Sequence, residues 1–297
     1  MKRFLKPFVL LLCVLLLLPT LFSCVNWEQR KAEADAMFQS FDNSRNYVFF
    51  TLYELHIGER VIPIKNLRYG GQVCNLVFCT PDGVFAYVYD TTFAAKPATP
   101  NFHIVLIDYE TLQMTLMASV YLPDEVINTG HYQNKLYFRY DPGKDKDQRY
   151  LVYDIATQEI SYAGTNNVGL IENPHDHNRS QRYTFSDELL KDLTLYQLRI
   201  TDKQTNKVFK VNKKLLDTCK EGKQILKTAP RLAIGGMGSV YEKDGKIYIP
   251  MLYEVGFLGS PCYWFIVIYD PNTNTMEYYT SIYFEEYPEG IFDLYIP

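Results

Sequence analysis

Apolar positions along the chain fall in short runs broken by turn residues. Phe265 to Tyr269 is a continuous β-branched and aromatic run, the pattern of a strand covered on both faces and too short for a helix. It stops at Asp270-Pro271-Asn272, where Asp can accept a backbone N–H two residues on and Pro presets a type I turn. Beyond the turn, Met276, Tyr278 and Thr280 alternate with Glu277 and Tyr279, a half-covered second strand. The stretch is predicted to be a hairpin.

The same outline recurs. Asp108 with Thr111, Asp154 with Thr157, Asp202 with Thr205 and Asp270 with Thr273 share an Asp-x-x-Thr spacing, each after an apolar or mixed strand; successive aspartates are 46, 48 and 68 residues apart. A fainter first copy spans Tyr47 to Ile64 and turns near Gly58. A second hairpin precedes most copies: Asp82-Gly83 leads into VFAYVY, Asn134-Lys135 into LYFRY and Asp244-Gly245 into KIYI, Asp-Gly being the strongest short hairpin signal. For the copy at Asp202 this partner is weakly marked, around Asn178 to Phe185. Two hairpins at a near-constant offset make a four-stranded unit, and spacings near 50 residues suit one propeller blade. The C-terminal segment Glu289 to Ile296 resembles a first hairpin strand with no second hairpin after it. Its expected partner is the strand pair at 47 to 64, which would close a ring and protect its edges. The predicted fold is all-β: a β-propeller of five four-stranded blades, over residues 46–297, closed by pairing of N- and C-terminal strands.

Gly245-Lys246-Ile247-Tyr248-Ile249, followed by Ile268-Tyr269-Asp270-Pro271-Asn272-Thr273-Asn274, resembles a kelch-type blade, and Asn134-Lys135-Leu136-Tyr137 with Val152 to Thr157 is a looser match. The kelch double glycine after the first strand is absent, and no Trp follows the Asp-x-x-Thr turns. The resemblance implies a propeller and no particular activity, because the architecture hosts many functions.

Lys2, Arg3 and Lys6 precede an uninterrupted apolar run of 11 residues, Phe8 to Leu18, and then Leu21-Phe22-Ser23-Cys24. The run is short of the roughly 20 residues that cross a bilayer, so residues 1–23 read as a signal peptide. The ending resembles the lipobox of bacterial lipoproteins, with Phe22 where a smaller residue is usual. The resemblance implies lipid attachment at Cys24 and an extracytoplasmic protein of a bacterial envelope; an uncleaved membrane anchor and an ordinary secreted protein are the alternatives. In residues 24–45, Trp27, Ala34, Met37, Phe38 and Phe41 fall near helical spacing, a short helix or spacer expected to carry the domain off the membrane, or else a partner-binding helix.

Composition is globular, with 47% hydrophobic and 22% charged residues, and rich in Tyr (25) and Phe (18), which leans toward β structure. Loss of Lys2, Arg3 and Lys6 takes the formal net charge from −4 to −7. An acidic chain argues against nucleic acid and electrostatic membrane docking. Cys74, Cys79, Cys219 and Cys262 include no CxxC pair; buried thiols are the plain reading, and one disulfide is the other.

Chemical candidates are few. His175 and His177 share a face if 173–178 is extended, a weak metal seed without a third ligand, and no cofactor is expected. Gly235-Gly236-Met237-Gly238-Ser239 lacks the Lys-Ser/Thr of a phosphate loop. The tight hairpin turns share one end of the ring, so the long connections from second to third strand define the expected functional end. They carry Phe93, Lys96, Tyr140, Asp141, Lys144, Arg149, Phe257, Tyr263 and Trp264 as candidate ligand-binding residues; Tyr263 and Trp264 can equally pack into the blade. The sequence points to a module that binds a glycan, peptide or small ligand. The alternatives are a scaffold subunit of an envelope complex and a glycoside hydrolase or lyase, which would need two acids roughly 5 to 9.5 Å apart.

Overall fold

The computed structural model describes residues 28–90, 99–132, 134–140, 149–164, 180, 182–189, 196–229, 231–234, 240–255, 262–285 and 293–297. The first blade opens with β1 (Val48–Phe50), β2 (Glu54–Ile57) and β3 (Arg60–Pro63), and a ribbon of β4 (Arg68–Tyr69) and β5 (Gln72–Val73) leads out of it. The second blade is β6 (Asn75–Thr80), β7 (Gly83–Tyr89), β8 (Phe102–Ile107) and β9 (Met114–Val120). The third is β10 (Val126–Tyr132), β11 (Lys135–Tyr140), β12 (Arg149–Asp154) and β13 (Ile160–Gly164). The fourth shows three strands among the described residues, β14 (Tyr183–Leu189), β15 (Tyr196–Asp202) and β16 (Val208–Val211). In the fifth, β17 (Arg231–Ile234) and β18 (Tyr241–Lys243) both pair with β19 (Lys246–Glu254), which continues to β20 (Cys262–Asp270) and β21 (Thr275–Phe284). Finally β22 (Asp293–Tyr295) returns to β1, with Val48 opposite Tyr295 and Phe50 opposite Asp293. Five antiparallel sheets closed by the two chain ends form a five-bladed β-propeller.

Each blade buries both faces against its neighbours, and period-two alternation decides which side chain goes where. In β20 every residue but Asp270 is buried. Tyr263, Phe265, Val267 and Tyr269 join Leu198 and Ile200 of the fourth blade, whereas Trp264, Ile266 and Ile268 join Phe49, Leu294 and Ile296 of the first. At roughly 1.5–3 kcal/mol per fully buried large side chain, this strand is heavily stabilised.

The Asp-x-x-Thr repeats are the third-to-fourth-strand turns, and their aspartates work as backbone acceptors. Oδ1 of Asp108 takes the N–H groups of Glu110 and Thr111 at 3.1 and 2.7 Å, and the Asp154 and Asp202 turns repeat this pattern. Each turn ends on a residue at positive φ, namely Leu112, Gln158, Asn206 and Asn274, whose N–H bonds back to the aspartate carbonyl. Gly83, in the first turn of the second blade, has φ +146 and leaves no room for a Cβ, which would sit 2.4 Å from the carbonyl oxygen of Ile107.

One expectation changes. Residues 28–39 do form a helix, α1, but it is not a spacer: Ala34 and Phe38 are buried in the core between the fourth and fifth blades, beside Ile225 of α2 (Lys220–Thr228). The folded unit therefore starts well before residue 46. Cys74, Cys79, Cys219 and Cys262 are thiols rather than disulfides, and burial pushes the Cys262 thiol up to about 12. Among the described residues no helix is long and apolar enough to cross a membrane.

Candidate functional site

Of the residues the sequence nominated, Cys24, Phe93, Lys96, Asp141, Lys144, His175, His177 and Phe257 lie outside the described residues, as does the Gly235–Ser239 run. Arg149 opens β12 at an exposed position. The other three are not loop-tip side chains. Tyr140 ends β11 at 4% exposure, in the core shared by the second and third blades. Tyr263 is stacked at 4.4 Å on Phe38, with its hydroxyl on Asp35. Trp264 is buried between the fifth and first blades. Strand β20 begins three residues earlier than its sequence suggests, and alternation turns these rings inward. Burial first, then the Asp35 carboxylate, pushes the Tyr263 phenol far up, so it stays a neutral donor.

The end of the ring that carries the second-to-third-strand connections nevertheless holds a cavity of about 310 Å³. Its position follows from local geometry on three blades. In the first blade Thr51 Oγ1 accepts the N–H groups of Tyr53 and Glu54 at 3.3 and 3.1 Å. That tightens the turn and throws Leu52 and Tyr53 outward, at 47% and 65% exposure. In the second and third blades the innermost strands are each interrupted near their starts. Pairing of β6 with β7 slips between Leu76 and Phe78, and pairing of β10 with β11 slips between Val126 and Asn128. Such bulges bend a strand and re-aim side chains. They frame the cavity, with Leu76 and Val77 on one wall and Asn128 and Thr129 on the other.

The lining is neutral. Thr51, Asn75, Asn128 and Thr129 supply hydroxyls and amides, and Phe50, Leu52, Ile64, Leu76, Val77 and Tyr87 supply apolar surface. Asn128 Oδ1 accepts the N–H of Thr129 at 2.8 Å, which fixes that amide over the bulge. Tyr87 is backed by Phe102 with ring centres 5.4 Å apart, and burial raises its phenol to about 12. Cys74, also in the wall, is raised by burial to about 11; it is a thiol at neutral pH and a poor nucleophile. This arrangement can hydrogen-bond and cover a neutral polar molecule. Among the described residues of its lining none is ionised.

The innermost strands of three blades also meet at a buried polar centre. Asp293 of β22, fully buried, accepts the N–H of Cys79 on β6 through Oδ2 at 2.6 Å. Its other oxygen lies 3.9 Å from Nε2 of His131 on β10, whose ring packs on Phe78 at 3.8 Å. A second cavity, about 290 Å³, lies at the tight-turn end between Tyr47, Tyr109 and Tyr295. Among the described residues no group of three His, Cys, Asp or Glu side chains could hold a metal ion.

No family model matches the chain, and no curated protein matches it. Solved structures do match. TolB from Acinetobacter baumannii is 12% identical over 79% of this chain and 52% of its own, with a TM-score of 0.27. A prolyl endopeptidase is 10% identical over 78% of this chain and 30% of its own, at 0.26. A hypothetical selenium-binding protein from Sulfolobus tokodaii is 9% identical over 81% and 72%, at 0.27. This chain thus spans about half of the TolB chain and under a third of the endopeptidase. Scores this low carry nothing about activity; the propeller stands on the chain's own sheet order.

The cavity lies at the end of the ring that the sequence singled out, and it is lined by other side chains than the nominated Tyr140, Tyr263 and Trp264. Thr51, Asn75, Asn128 and Thr129 sit on innermost strands or a three-residue turn, where neither loop length nor composition marks them. The available signal was polar residues at the starts of predicted inner strands, Asn75 before LVF and Asn128-Thr129 before GHY.

Proposed function

We propose that this chain is a lipid-anchored binding propeller of the bacterial envelope, and that the cavity at the heads of the first three blades is its site for a neutral glycan. The observation that carries the reading is the pair of bulges on β6 and β10, which set amides and hydroxyls against aliphatic walls and a tyrosine ring. Concave sites of this size, mostly apolar with a few placed polar groups, are the usual form of small-ligand pockets. The lipobox-like Leu21 to Cys24 supports the anchor. A hydrolase would need a carboxylate pair, and the lining supplies amides instead.

A glycan array probed with purified protein starting at residue 25 tests the reading. A bound glycan should lose at least tenfold in affinity, about 1.4 kcal/mol, in Asn75→Leu and in Asn128→Leu, with the melting temperature held. No glycan bound, or affinity kept in both variants, rejects it.

A second reading has its own observation. Leu52, Tyr53 and Ile127 are 47%, 65% and 58% exposed at this same end, an apolar rim of the sort that marks a protein contact. If the rim seats an envelope protein, Tyr53→Glu with Ile127→Glu should abolish cross-linking to that partner in intact cells while array binding persists.

A further inference from the structure

The docked helix α1 has a direction. Lys31 Nζ lies 4.9 Å from the Tyr283 ring centre, Asp35 meets the Tyr263 hydroxyl, and Phe38 stacks on Tyr263. Past the helix, Asn43 Oδ1 accepts from the Tyr278 hydroxyl at 2.7 Å and the Ser281 N–H at 3.0 Å, and Arg45 pairs with Glu277 at 2.9 Å. Tyr263 and Tyr283 are register partners beside the second-to-third-strand connection, and Glu277 lies toward the tight turn. The chain therefore enters at the cavity-bearing end of the fifth blade and runs toward the tight-turn end. Positions 31, 34, 35 and 38 form an i, i+3, i+4, i+7 stripe, with Ala34 and Phe38 at 0% and 1% exposure. The helix is packed into the body of the ring.

Only three residues lie between Cys24 and Glu28, and the four steps fully extended reach at most about 14 Å. We propose that α1 is a strut that holds the cavity-bearing end of the ring toward the bilayer, so that the surface this end faces is the membrane itself. The proposal rests on the lipid anchor inferred above. Net charge does not draw the ring to the bilayer, since the chain without residues 1–23 carries −7 and anionic lipid repels it. The apolar rim of Leu52, Tyr53 and Ile127 lies at the same end and suits an interfacial position.

Energy transfer tests the strut. The full-length protein with Cys219→Ser, labelled at Tyr53→Cys or at Asp82→Cys, is reconstituted in phosphatidylcholine vesicles that carry a headgroup-labelled acceptor. Tyr53 marks the cavity end, and Asp82 marks the first turn of the second blade at the opposite end. Transfer should be at least twofold more efficient from position 53. Inserting about 20 Gly/Ser residues between Asn26 and Trp27, a coil of roughly 25 Å, should erase the difference without altering the fold. Mass spectrometry of the N-terminus keeps the two readings apart. An acylated chain with equal transfer from both positions, or stronger transfer from position 82, overturns the strut alone; a chain without acyl groups on Cys24 overturns the anchor and the strut together.

Discussion

The fifth and first blades share one core and are built by opposite means. Strands β19, β20 and β21 are nine, nine and ten residues long, drawn from one continuous stretch. The first blade has strands of three, four, four and three residues taken from both ends of the chain. The fifth blade is held by area: apolar side chains cover both faces of β20, and α1 covers its outer part. The first has little area to offer, and among the described residues its closing strand makes three register pairs with β1. What it adds is a buried carboxylate. Asp293 takes a backbone N–H from the second blade and lies beside His131 of the third, so one side chain touches the innermost strands of both following blades. A buried carboxylate is costly unless hydrogen-bonded, so it favours the one register in which those partners are met. Long strands need no such device; short closing strands do.

The widest break in this comparison is removal of residues 290–297. The fifth blade keeps all its strands, whereas the first loses β22 and exposes the edge of β1. Loss of closure should consume much of the total stability, on the order of 5–15 kcal/mol for a domain, and replace one cooperative melt by a broad transition. A truncated protein that melts like the parent, by circular dichroism, disproves closure as the source of cooperativity.

A single substitution reaches the same joint with less force. Asp293→Ala leaves the Cys79 N–H without its acceptor and should cost about 1–3 kcal/mol, the range for orphaning a buried donor. Asp293→Asn, which keeps an acceptor oxygen, should cost less. Urea unfolding reads the difference, and equal losses for the two variants would mean that volume, not the hydrogen bond, holds the strand.

The ring and its closure were legible because backbone chemistry repeats. Each Asp-x-x-Thr turn uses the aspartate in the same way, and β20 is apolar at both parities because both faces are covered. The fourth blade was the faintest in sequence, and it shows three strands among the described residues. The site was less legible for a different reason. Long connections drew attention to Tyr140, Tyr263 and Trp264, yet parity along β11 and β20 sends those rings into the cores. The cavity depends on a one-residue slip in each of two strands, and a bulge moves side chains between faces without any change of composition. Asp293 lay in the segment singled out for closure, but only the ring brings it to Cys79 and His131.

The mildest probe of the comparison is acid. His56 on β2 is 3% exposed, stacked at 4.3 Å on Phe49 and 5.3 Å from Phe284. Burial lowers its pKa, against an opposing pull from the Glu54 carboxylate at 3.1 Å. Burial prevails because the ring lies between aromatic faces, whereas the Glu54 side chain is 39% exposed and partly screened by water. With the folded value below the unfolded one of about 6.5, the unfolded state binds more protons as pH falls through that value. Stability should therefore be full above about pH 7 and decline below 6.5, at no more than about 1.4 kcal/mol per pH unit. His103 is lowered by burial as well and acts in the same direction. The turn aspartates 108, 154 and 202 are held below the ordinary carboxylate value, so their contributions are lost only at more acidic pH. Between pH 5 and 6.5 His56 contributes such a slope, and His56→Gln should remove its share at a modest cost in stability at pH 7.5. If denaturant unfolding of the variant keeps the parent's slope across that window, the acid sensitivity lies elsewhere, and the first blade is no more exposed to pH than the fifth.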